Sequence, residues 1–182
     1  SFQRLSQLLP QARFVDTTDK VAELRSIKSE REVAVLESAS LGTHKAALDA
    51  MAASRPGESE KVMADRLLLN MIKNGADGTT FLVFGSGPRS GMAHALPTER
   101  VPGPSEIIRF DFGGSYGPWQ SDFARTYSTG EPTPVQRQTY TALRRAQADT
   151  VEVIRPGAAA EDVFFACRDA FGKHGLNFIM PH

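Results

Sequence analysis

The feature that most constrains this chain is a repeat at an offset of 100 residues. Arg55-Pro56-Gly57 returns as Arg155-Pro156-Gly157, and Lys73-Asn74-Gly75 returns as Lys173-His174-Gly175. Proline and glycine at such points break helices. Each Arg-Pro-Gly follows a helical run with its own start signal. Ser29-x-x-Glu32 is a capping box before Val33, Leu36, Ser40, Ala47, Leu48 and Met51. Thr133-Pro134-Val135-Gln136 is a second one, with proline at the first helical position, before Tyr140, Leu143, Gln147, Thr150, Val151 and Ile154. Second helices follow over about 59–73 and 160–171. The first copy continues into β-rich sequence at 79–84, and the second reaches His182 where its strands are due. The expectation is an α+β fold of two helix-helix-strand copies related by a pseudo-twofold axis, the second incomplete. Residues 1 to about 27 show no sustained periodicity and read as a lead-in.

The strands of the first copy contain DFGGSYGPWQSDFART, residues 111–126. Its glycines and Pro118 mark a chain reversal between two β-rich runs, 106–112 and 119–127. A hairpin centred between Tyr116 and Gly117 sets Asp111 opposite Asp122. Alternation puts Phe110, Phe112 and Phe123 on one face, and Arg109, Asp111, Asp122 and Ala124 on the other. Directly opposed like charges destabilise a sheet. Three readings follow: a solvated surface, two acids sharing a proton, or cations between them.

Bulk properties exclude several classes. Lysine plus arginine equals aspartate plus glutamate, 21 each in 182 residues. That balance gives no footprint for nucleic acid or anionic membrane. No apolar run suits a bilayer span or a signal peptide. The single Cys167 lies in an apolar helical stretch and reads as packing, and lone cysteine usage points to the cytoplasm. The glycine-rich stretch 85–91 lacks the lysine of a phosphate loop and reads as a loop shaping a site entrance. His44 and His174 lie on or beside helices and read as solvated; Arg125 is placed to pair with an acid.

HALPTERV at 94–101, FDFGG at 110–114 and SDFART at 121–126 resemble the creatinase/aminopeptidase, or pita-bread, metallopeptidases, nearest the Xaa-Pro dipeptidases (prolidases) and Xaa-Pro aminopeptidases. RSIKSEREVAVLESA at 25–39 resembles the segment opening their catalytic domain. The resemblance implies a pita-bread fold with a curved antiparallel sheet. It implies that 1–24 is a linker or a remnant of a missing N-terminal domain, and 25–182 a partial catalytic domain. It implies two divalent metal ions, with manganese favoured and cobalt, zinc or iron alternatives, bound by Asp111 and Asp122. His94 matches the family's catalytic and substrate-binding histidine. His182 best matches a second substrate-binding or outer histidine. The family's remaining ligands are a histidine, for which His182 is the alternative match, and two glutamates, which have no counterpart here; this chain alone is therefore expected to bind metal poorly and cleave little. Pro104-Ser105-Glu106 replaces a Gly-Asp pair frequent before the first aspartate strand.

The reaction implied is hydrolysis of an Xaa-Pro bond in a proline-containing di- or oligopeptide by a metal-activated water. A homodimer, with no nucleic-acid or membrane partner, completes the expectation. Alternatives on the same fold are a methionine aminopeptidase or amidohydrolase, and a non-catalytic peptide- or protein-binding module.

Overall fold

The structure, a computed structural model, describes residues 2–179. The chain divides into two compact units, residues 1–38 and 39–182. The first carries α1 (Phe2–Leu8) and α2 (Thr18–Ser26), then the start of α3 (Glu30–Ala52). Neither α1 nor α2 buries a residue. Two helices therefore form where apolar spacing is too irregular to announce them. Local bonds define their surroundings: Asp16 accepts from both the amide and the hydroxyl of Thr18, and Phe2 meets Phe14 edge-on at 5.3 Å. The Ser29–Glu32 box forms as expected, with the Ser29 amide and hydroxyl donating to Glu32 at 2.7 and 2.8 Å.

The second unit holds the rest of α3, α4 (Glu60–Lys73), β1 (Gly78–Ser86), a short 3-10 helix (Gly87–Gly91), β2 (Ile107–Tyr116), β3 (Trp119–Gln120), β4 (Phe123–Ser128), α5 (Pro134–Val151) and α6 (Ala160–Lys173). The four strands form one antiparallel sheet. Strand β2 is central, paired with β1 on one side and with β3 and then β4 on the other. Alternation along β2 makes one face apolar. Ile108, Phe110 and Phe112 are buried there, with Phe84 from β1, against Ala46, Ala47 and Ala50 of α3 and Met63, Ala64, Leu67 and Met71 of α4. Phe110 stacks nearly parallel to Phe84 at 5.5 Å and to Tyr127 at 5.6 Å, an aromatic row across three strands. Such offset pairs add to the area they bury.

The 100-residue repeat is real in three dimensions. Helices α4 and α6 start and stop at positions 100 apart. Gly57 and Gly157 take φ of 91° and 87°, a left-handed conformation that favours glycine after each proline. Both helices end alike: Ala76 donates to the Met71 carbonyl, and Leu176 to that of Phe171. These are the six-to-one bonds of a glycine-terminated helix.

The hairpin register differs from the sequence expectation. The turn is Gly117-Pro118, with Tyr116 paired to Trp119 and Ser115 to Gln120. Gly117 has φ of 58°, and proline holds Pro118 at negative φ, the pattern of a II′ turn. Asp111 therefore pairs with Ala124, and Phe112 with Phe123. The difference is two residues, an even number, so the face assignments of the residues within the ladder survive. Ser121 and Asp122 fall in the interruption between β3 and β4.

A candidate metal-binding face on the central strand

Asp111 sits mid-strand between Val83 of β1 and Ala124 of β4, on the face opposite the aromatic core. It is half-buried, whereas Asp122 is exposed. Asp122 lies just outside the ladder, so the two acids are not an opposed pair. Their coupling remains: burial pushes the Asp111 carboxyl above its ordinary value, and the negative charge of Asp122 pushes it further. Arg109 and His94 pull it back. Asp122 and His94 are thus both within electrostatic reach of Asp111.

Hydroxyl contacts anchor the chain next to Asp122. Its neighbour Ser121 is 5% exposed, and its Oγ lies 2.7 Å from Thr43 Oγ1, which is itself 2.7 Å from the Tyr116 hydroxyl. Ser121 Oγ also accepts from the Gly114 amide at 3.0 Å. Close approach needs Gly113: a Cβ there would collide with the Ser121 carbonyl and the Thr80 hydroxyl. Helix α3, the hairpin and the interruption meet at this triad. Sequence reasoning missed it, because nothing local marks Thr43 as the partner of a serine 78 residues away.

His94 is exposed, in the segment between the 3-10 helix and β2. A buried carboxylate anchors that segment from below. Glu60, at the start of α4, is 0% exposed. Its carboxylate accepts from the amide and hydroxyl of Ser86 at 2.8 and 2.7 Å, from the amide and hydroxyl of Thr98 at 3.1 and 2.8 Å, and from Arg89. Burial alone pushes Glu60 upward, yet the bonds from Ser86 and Thr98 outweigh it and leave the group below its ordinary value. The helix amides of Glu60 and Lys61 in turn donate to the carbonyls of Arg100 and Thr98. One helix start thereby grips residues 86 and 98–100, on both sides of His94. An acid in the first turn of a helix was legible; its complete burial was not.

Other expectations resolve differently. His182 lies outside the described residues. His44 and His174 are not simply solvated: His44 Nδ1 is 3.1 Å from Arg125 Nη2 and its ring stacks on Phe123, and His174 Nε2 is 3.0 Å from Asp149. Arg125 lies 4.7 Å over the Phe123 ring and, among the described residues, forms no salt bridge with an acid. A ring face and an imidazole take its charge instead. Residues 87–91, expected as loop, form the 3-10 turn that presents Arg89 to Glu60.

The donor set can be weighed against a metal. Asp111 and Asp122 offer hard oxygen donors of the kind divalent Mg and Mn prefer, and a cation would relieve the crowding of negative charge at Asp111. Among the described residues, no group of three or more His, Cys, Asp or Glu side chains is arranged to hold an ion. The two carboxylates fit part of a metal site.

The sequence pattern of metallopeptidase family M24 matches residues 35–182. A probable dipeptidase PepE of Mycobacterium bovis is 35% identical over 166 residues, covering 91% of this chain and 44% of that protein. An Xaa-Pro dipeptidase of Pyrococcus horikoshii is 28% identical over 170 residues, 93% of this chain and 48% of that one. Among solved structures, the X-Pro aminopeptidase of Thermotoga maritima superposes with a TM-score of 0.88 at 27% identity, over 96% of this chain and 50% of that one. The prolidase of Pyrococcus furiosus gives 0.80 at 28%, over 86% and 47%. The chain spans about half the length of these relatives. It belongs to metallopeptidase family M24 and has the pita-bread fold of that family's prolidases.

Proposed function

We propose that this chain contributes Asp111 and Asp122 as metal-binding carboxylates, and His94 as the proton-handling and substrate-binding histidine, to a peptidase cleaving Xaa-Pro bonds in di- or oligopeptides. The observation that carries this reading is the raised carboxyl of Asp111, half-buried beside Asp122 on a face turned away from the core, with His94 in electrostatic reach. The names of the relatives supply the substrate class.

Two divalent ions, with manganese favoured over cobalt, zinc or iron, would supply an activated water and polarise the scissile carbonyl when bound. The chain's own residues do the rest. The ladder fixes the backbone of Asp111, and Asp122 directly follows Ser121, which is tied to Thr43 and Gly114. His94 is exposed and free to meet substrate. In its protonated form it can donate to the proline nitrogen as that amine leaves, or hydrogen-bond the oxygen on which charge develops. A homodimer in the cytoplasm is the proposed setting; among the described residues no helix is long and apolar enough to cross a membrane.

Paramagnetic relaxation tests the reading. Substoichiometric Mn²⁺ added to the labelled chain is expected to broaden the amides around residues 111, 122 and 94 selectively. Asp122→Ala should remove that broadening. Diffuse broadening, or selective broadening that survives Asp122→Ala, overturns the assignment.

A further inference from the structure

The strand that carries Asp111 carries Arg109 two residues earlier, on the same face. Its guanidinium is turned onto the backbone next to His94. Nη2 donates to the carbonyls of Met92 at 2.6 Å and Ala93 at 3.1 Å, the two residues immediately before the histidine. Beyond the histidine, the Phe84 amide donates to the Ala95 carbonyl at 2.8 Å, and Arg89 Nη2 donates to the Leu96 carbonyl at 2.7 Å. Four carbonyls around His94 are therefore held while His94 itself stays exposed. The sheet makes room for this. Gly85 lies opposite Arg109 in the ladder, and a Cβ there would strike the Arg89 carbonyl and crowd Ala95.

We propose that Arg109 is a positioning residue that fixes His94 relative to the Asp111 strand; this rests on reading His94 as the proton-handling group. Three features support it. The bonds are charge-assisted, roughly twice as strong as neutral ones. A planar guanidinium can serve two carbonyls from one nitrogen at a fixed angle, which a lysine's point charge does not reproduce. Finally, Arg109 Nε is buried without a hydrogen-bond partner. The side chain leaves one donor unsatisfied to keep its grip on residues 92 and 93, so the grip sets its conformation.

The test uses Arg109→Met, which keeps the bulk of the stem and loses the donors, and Arg109→Lys, which keeps the charge. Two amides report directly on detachment of the segment: Phe84, which donates to Ala95, and Met92, which donates to Arg89. In Arg109→Met both are expected to exchange with solvent about tenfold faster than in the parent, with β2–β4 ladder amides unchanged. Arg109→Lys should fall between. Exchange unchanged at Phe84 and Met92, or accelerated equally throughout the sheet, overturns the proposal; if Arg109→Met does not fold, parent-like exchange in Arg109→Lys does so. The Mn²⁺ experiment separates the two levels of inference. In the Arg109 variants, broadening at residues 111 and 122 should persist while that of the His94 ring weakens. Undiminished His94 broadening counts against Arg109, whereas loss of broadening at 111 and 122 in the parent counts against the metal reading itself.

Discussion

Residues 60–73 and 160–173 form helices of 14 residues each, with the same kind of turn before them and the same glycine-terminated end. Their faces fare differently. Helix α4 buries Met63, Ala64, Leu67 and Met71 under the sheet. Helix α6 packs on α5 and buries only Ala170, leaving Phe164 and Phe165 at 38% and 44% exposure. Ends and faces are thus governed separately. Ends follow from caps, prolines and left-handed glycines within a few residues. Faces depend on what lies across from them, and among the described residues only the first copy has strands to offer.

That contrast can be broken position by position. The largest effect is expected at Glu60, whose counterpart is the exposed Ala160. Removing one partner of a buried, hydrogen-bonded charge leaves Arg89, Ser86 and Thr98 uncompensated, so Glu60→Ala should cost about 3–5 kcal/mol in urea unfolding. The same group gives a pH signature. Its native value lies below its ordinary 4.5, so its stabilisation is complete above that pH and is lost as pH falls through the native value. Acid unfolding of Glu60→Gln should therefore be less steep than that of the parent.

Next comes Leu67→Ala, a fully buried position, at about 2.5–4 kcal/mol. Its counterpart Cys167 is only half-buried, and Cys167→Ala should cost under about 1 kcal/mol. Equal losses at 67 and 167 would show that α6 has found a cover. Smaller again is Thr43→Val, which deprives Ser121 and the Tyr116 hydroxyl of a buried partner, at about 1–2 kcal/mol. Leu143, at the matching position of α5, is 41% exposed, so Leu143→Ala should stay within about 0.5 kcal/mol.

The smallest effect has the opposite sign. Burial first, then Asp122, raises Asp111 above its ordinary 3.8. The native state then binds that proton more tightly than the unfolded chain, so stability falls as pH rises through the raised value. In metal-free buffer at neutral pH, Asp111→Asn should gain about 0.2–1 kcal/mol. Thermal melts should show the gain shrinking toward pH 3. A site that costs stability when empty of charge partners is the expected mark of function over packing.

Much of the scaffold was legible. The boxes at Ser29–Glu32 and Thr133–Gln136, the glycine helix ends and the 100-residue repeat all rest on contacts within about five residues. So did the face of Asp111, because alternation along a strand tolerates any even error in register. The register itself did not come through: Gly117-Pro118 centres the hairpin one residue beyond where symmetry between the aspartates placed it, which shifts the pairing by two residues. Arg109 carried a signal that went unused, a charge among the apolar residues of IIRFDF on the face of Asp111.

By itself, then, the sequence determined where helices begin and end, where the chain reverses, and which side chains share a face. Those choices are made by neighbouring backbone groups competing for the same few hydrogen bonds. Only the tertiary structure decided that Thr43 fastens Ser121, that Glu60 is buried beneath the His94 segment, and that Arg109 reaches Met92. These contacts join residues 17 to 78 positions apart. Closing such loops is rewarded only when the whole sheet and its helices assemble, so no short stretch of chain encodes them.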